Sequence, residues 1–195
     1  MHVARANGDG KTALDLGGWV KGHAFSLARR SGSGYRETFY LWPAGPDSNA
    51  FLERLDIRVA GAQPGLGGRL AGLRNVLAGP YMVGTDWVNG VRTACKLYYR
   101  VADKALLRRL GGGTDFTTFH TDNILLVLRL DAQGRVSSYK IEPWFDTKDR
   151  ALYPPAYSAL YEDPRIFITR LSYDFNLDGT ARKFSVYYGP NYRKY

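Results

Sequence analysis

The sequence predicts an α+β protein: an antiparallel β-barrel of repeated β-hairpin/helix units with helices outside. Three observations lead there. First, Val91–Val101, Val136–Trp144 and Ala181–Tyr188 each alternate in the manner of a strand and follow a Gly/Asp/Asn turn. Second, Lys96 and Lys140 are 44 residues apart and Lys140 and Lys183 are 43 apart, the mark of a repeated unit. Third, 22 glycines and 14 tyrosines within a 45% hydrophobic composition lean toward strands joined by tight turns.

The elements follow in order. Residues 1–15 read as a flexible arm, and 1–195 as one domain with enough chain to bury a sizeable core. A first hairpin is expected from Trp19–Arg29 and Tyr35–Trp42 around Arg30-Ser-Gly-Ser-Gly34. Ser48-Asn49 can cap a helix with apolar residues at Phe51, Leu52, Leu55 and Val59; Leu66, Leu70, Leu73 and Leu77 mark another. Tyr81–Trp87 and Val91–Val101 pair across Asn89-Gly90, a strong hairpin signal. Asp103 caps a short helix that Gly111-Gly-Gly113 ends. Ile124–Leu130 pairs with Val136–Trp144, Pro154-Pro155 opens a helix through Leu160, and Ile166–Asn176 pairs with Arg182–Tyr188. The pattern is hairpin, helix, hairpin, helix, hairpin, with a blurred fourth unit at the N-terminus.

Alternation places Lys96, Tyr98 and Arg100 on one face, as it does Ser138, Lys140 and Glu142, and Lys183, Ser185 and Tyr187. Leu97, Tyr99 and Val101, then Tyr139 and Ile141, then Phe184, Val186 and Tyr188 take the other. Aligning the last two units on their Leu-Asp turns instead sets Tyr187, not Lys183, opposite Lys140. One reading of the pattern is an ordinary half-buried sheet with its lysines in water. The other is a barrel whose lysine–tyrosine face lines a lumen. Lysine supplies point charges to diphosphate oxygens, tyrosine shields a cation, and Asp86 and Glu142 are acids for the same wall.

Composition bounds the alternatives. The longest aliphatic run, Ile124–Leu128, cannot span a bilayer, and the first residues lack a secretory apolar stretch. A single cysteine, Cys95, excludes an internal disulfide framework and fits a cytoplasmic location; on the apolar face it reads as structural. A net charge of +9 favours an anionic partner, yet no nucleic-acid-binding signature accompanies it. Gly10-Lys11-Thr12 lacks the first glycine of a P-loop, and Gly65-Leu-Gly-Gly68 lacks the full dinucleotide pattern. His2, His23 and His120 form no ligand cluster with Cys95, so no metal site is expected; His120-Thr-Asp122 can orient an imidazole or cap a loop.

Gly84-Thr-Asp-Trp-Val-Asn-Gly-Val-Arg-Thr-Ala-Cys-Lys-Leu-Tyr98 resembles the G-x-D … K-x-[YH] hairpin of the ABBA prenyltransferases, and most of all those that modify cyanobactin-type peptides. Asp131–Glu142 and Ser172–Tyr188 resemble later hairpins of that fold, and Phe51–Leu77 its helical lead-in. The resemblance implies transfer of an isoprenyl group from an allylic diphosphate to an aromatic or peptide acceptor, with Mg²⁺ as an aid. By matching position, Lys96, Lys140 and Lys183 hold the diphosphate, joined by Arg92, while Tyr98 and Tyr187 shield the carbocation. From the alternation, Glu142 or Asp86 orients or deprotonates the acceptor. Family members carry more repeated units than this chain, so the resemblance implies a shortened or incomplete barrel, and a homo-oligomer completing it is one expectation. The competing readings are a non-catalytic barrel for an apolar or anionic ligand and a basic nucleic-acid-binding β protein.

Overall fold

The computed structural model describes residues 25–31, 34–41, 80, 82–131 and 134–191. The arm and the helices expected over 51–59 and 66–77 lie outside them, as does the start of the first expected strand. Eight strands hydrogen-bond in chain order: β1 (Phe25–Ser31), β2 (Gly34–Leu41), β3 (Met82–Val88), β4 (Val91–Arg100), β5 (Ile124–Leu130), β6 (Val136–Pro143), β7 (Ile166–Phe175) and β8 (Ala181–Pro190). The registers between β1 and β4 and between β6 and β8 are antiparallel.

The hairpins sit where the turn chemistry put them. Asn89 and Gly90 both take positive φ, +50° and +79°, the conformation a two-residue hairpin loop needs and the reason for this residue pair. The first hairpin closes at Ser31 opposite Gly34. Among the described residues the helical content is smaller than the spacing suggests. Lys104–Leu107, Phe116–Thr118, Thr147–Leu152 and Pro155–Tyr157 are 3-10 turns, and α1 (Ser158–Glu162) is the only α-helix among the described residues. Asp103 caps its segment as expected, accepting the Ala105 N–H at 2.8 Å. The turn stops after Leu107, a length at which i→i+3 bonding is common.

The chain falls into two compact units. The described part of the first holds β1, β2, β3, β4 as far as Tyr99, and Leu128–Ser137; that of the second holds Arg100–Val127 and 138–191. In the first unit Phe39, Val83, Cys95, Leu97 and Tyr99 are buried, and Trp87 meets Phe39 edge-on at 6.2 Å. In the second, the apolar face of β6 and β7 receives the 3-10 turns. Phe116, with no exposed surface, meets Phe119, Tyr173 and Phe175 at ring distances of 5.4, 5.0 and 6.4 Å. Tyr139 stacks on Phe175 at 5.3 Å and donates its hydroxyl to the Leu110 carbonyl at 2.9 Å. Buried aromatics of this size dominate core energetics, and a bonded hydroxyl removes the cost of burying Tyr139.

Candidate functional site

In the first unit one face is polar and buried. Register sets Thr38 opposite Asp86, Tyr40 opposite Gly84, Gly84 opposite Lys96, and Met82 opposite Tyr98. Residues directly opposite share a face, so Thr38, Tyr40, Asp86, Lys96 and Tyr98 line up across three strands. Lys96 Nζ donates to Asp86 Oδ1 at 2.7 Å, and the Thr38 hydroxyl donates to the same oxygen at 2.9 Å. The side chains of Lys96 and Asp86 are only 12% and 7% exposed. Burial alone would raise the Asp86 pKa, but the charge and hydrogen bond of Lys96, then the Thr38 hydroxyl, outweigh it and hold the carboxyl below its usual range.

Gly84 shapes the neighbouring surface. A Cβ there would stand 3.3 Å from Tyr98 Cε2 and 3.4 Å from Tyr40 Cδ1, so the two rings lean over the glycine with centroids 6.2 Å apart. The result is an aromatic pair beside a buried ion pair, on the face that alternation assigned to Lys96 and Tyr98.

Arg92 does not join that row. A β-bulge between Asp86 and Trp87 lets Thr93 take an extra place, so Arg92 stands opposite Trp87. One added residue reverses the parity of everything beyond it. Cys95 lies on the apolar face as expected, and burial pushes its thiol up to about 12, far from a working nucleophile.

The second unit carries a related face. Lys140 is opposite Asp174, and Asp174 is opposite Lys183, so Lys183 rather than Tyr187 shares the Lys140 line. Lys140 and Glu142 are buried; Lys140 Nζ lies 3.6 Å from Asp174 Oδ2, and Ser172 donates its hydroxyl to Glu142 Oε1 at 3.1 Å. Ser138 Oγ and Asp174 Oδ1 are buried without a hydrogen-bond partner. Lys183 and Tyr187 are exposed, and Tyr187 stands opposite Arg170, whose guanidinium lies 4.8 Å from the Trp144 ring centre. The reading that leaves these lysines in water holds for Lys183 and fails for Lys140.

Sequence reasoning passed over Thr38, Asp174 and Ser172. Asp174 and Ser172 were available from parity, because each alternates with the buried Tyr173 and Phe175. Thr38 needed the β2–β3 register, which spans a long connection.

His120 forms a separate cluster. Its backbone N–H and its Nδ1 both meet Asp149 Oδ1, at 2.8 and 2.7 Å, and Asp149 has no exposed surface. Asp149 thus ties the 116–120 loop to the Thr147–Leu152 turn, a staple rather than the orientation by Asp122 that the sequence suggested. Asp122 pairs with Lys104 instead, at 2.8 Å. Asp149→Ala is expected to cost about 1–3 kcal/mol, because it strands the part-buried His120 N–H and leaves a void at a fully buried position. A urea midpoint unchanged from the parent would refute the staple.

Among the described residues no group of three His, Cys, Asp or Glu side chains is placed to hold a metal ion, so no step proposed below runs through magnesium. None of their helices is long and apolar enough to cross a membrane. The fold and site define a mostly antiparallel β-sheet protein with buried lysine–carboxylate contacts on its strand faces. Comparison with protein-family models, curated proteins and solved structures finds no match.

Proposed function

We propose that this chain is a prenyltransferase of the barrel type, moving an isoprenyl group from an allylic diphosphate to an electron-rich acceptor. The observation that carries the reading is the buried Asp86–Lys96 pair beside the Tyr40–Tyr98 rings on one strand face. In the reaction the C–O bond to the diphosphate breaks and its electrons leave with the diphosphate, toward the Lys96 ammonium. The tyrosine faces stabilise the allylic cation. The acceptor's π electrons form the new C–C bond, and the carboxylate of Asp86, kept ionised by its partners, takes the proton that leaves. Closure of the strands around this face is part of the proposal, because water quenches such a cation.

The test is incubation with dimethylallyl, geranyl and farnesyl diphosphates and aromatic or peptide acceptors, read by mass spectrometry. Lys96→Ala is expected to weaken diphosphate binding about 10- to 100-fold, the loss of one charge-assisted contact. No transfer and no diphosphate binding in calorimetry would end the reading; unchanged affinity in Lys96→Ala would remove Lys96 from the site.

A second reading has its own support. Lys96 and Lys140 each face an aspartate, at 2.7 and 3.6 Å, which lowers their pull on an anion. That arrangement suits a non-catalytic site for a weakly charged or aromatic ligand. Native mass spectrometry distinguishes the two: a ligand retained without turnover favours the second.

A further inference from the structure

The structure points to a self-pairing edge, and we propose that β8 binds β8 of a second copy of this chain, antiparallel and centred on Ser185. The inference is independent of the prenyl-transfer reading. In the strand order β8 comes last, and among the described residues β7 is its strand neighbour. It is a full ten residues long, and six of them, Ala181, Arg182, Lys183, Tyr187, Tyr188 and Pro190, are exposed. Long exposed edges invite pairing unless something blunts them.

The direction of the backbone identifies which groups are offered. The Tyr187 carbonyl accepts from Thr169 Oγ1 of β7, and the Asn191 N–H donates to the Arg165 carbonyl. From Lys183 onward, odd-numbered residues therefore turn their main-chain groups toward β7, and Phe184, Val186 and Tyr188 turn theirs away from it; a bulge at Arg182 ends the alternation there. A two-fold axis perpendicular to the sheet maps each face onto itself, so residue numbers that pair must share parity. Centring on Ser185 makes Phe184 and Val186 exchange backbone hydrogen bonds across the new interface, twice.

Side chains choose this register over its neighbour. Centred on Ser185, each Lys183 stands opposite Tyr187 of the second copy, and the two serines face each other. Two lysines meet two phenol rings, and no like charges are opposed. Centring on Val186 would instead set Lys183 against Gly189, which has no side chain to meet it. The partner is thus another copy, matched by the strand's own charge pattern, with cations in its first half and tyrosines in its second.

Sedimentation equilibrium on the full chain is the primary test. A monomer–dimer equilibrium is expected. Val186→Pro should shift it toward monomer by at least about tenfold in Kd, since the N–H it removes points away from β7. Register is read by oxidative cross-linking. Ser185→Cys places two thiols in a non-hydrogen-bonded pair, with Cα atoms about 4.5 Å apart, inside disulfide range. Lys183→Cys places them about 13 Å apart, beyond that range. Cys95 is buried and does not compete. A disulfide-linked dimer from Ser185→Cys alone supports the proposal. A monomer at every concentration, a dimer indifferent to Val186→Pro, or equal cross-linking by both cysteine variants would overturn it.

Discussion

Asp86→Ala is expected to destabilise the chain by about 3–5 kcal/mol, the cost of leaving a buried charge without its partner. Lys96 loses its 2.7 Å acceptor, and Thr38 loses the oxygen it donates to. Replacing both ends, as in Asp86→Leu with Lys96→Met, should recover most of that loss, because the desolvation cost goes with the charges. The double-mutant cycle, by urea unfolding, measures the coupling.

The pH dependence has a definite sign. The folded-state pKa of Asp86 lies below its unfolded value, so the contribution is present above the unfolded value near 3.8 and is lost as pH falls through the folded pKa. Asp86→Ala removes that acid dependence. It also leaves an unpaired buried ammonium with a lowered pKa, so the variant should gain stability as pH rises into the alkaline range. A variant whose stability stays within about 1 kcal/mol of the parent would show that the pair is too hydrated to matter.

Phe116→Ala is expected to cost about 3–5 kcal/mol for a different reason. The ring is fully buried against Phe119, Tyr173 and Phe175, and its removal opens a cavity that rings on β7 cannot close without leaving the sheet. For a chain of this length each kcal/mol corresponds to about 2–4 °C in Tm. Loss of near-ultraviolet circular dichroism with the far-ultraviolet signal retained would place the damage in aromatic packing. A shift below about 2 °C would show that the turn carrying Phe116 contributes little to this core.

The hairpins were legible because their signals are local. Asn89-Gly90 needs only its own positive φ angles, and the alternation of Val136–Pro143 identifies the buried sides of Tyr139 and Ile141 within one strand. The Lys96 face was legible for the same reason. Arg92 was misplaced because a bulge is a property of two paired strands, and nothing in Val91-Arg-Thr-Ala announces the extra residue. The turn at Phe116–Thr118 was missed because Asp115 caps a segment too short to show periodicity, and its helical form rests on the aromatic cluster it plugs.

By itself, the sequence determined which residues share a strand face: Lys96 with Tyr98, Lys140 with Glu142, and Lys183 with Tyr187. Side-chain direction in an unbulged stretch of strand follows from the two-residue pleat. Only the tertiary structure decided which of those lysines are buried and what each one meets. Asp86, held by the Thr38 hydroxyl, meets the Lys96 ammonium, Asp174 stands between Lys140 and Lys183, and Lys183 stays in water. The Thr38–Asp86 and Lys140–Asp174 contacts depend on register between strands far apart in the chain, and register is set by the packing of both faces at once.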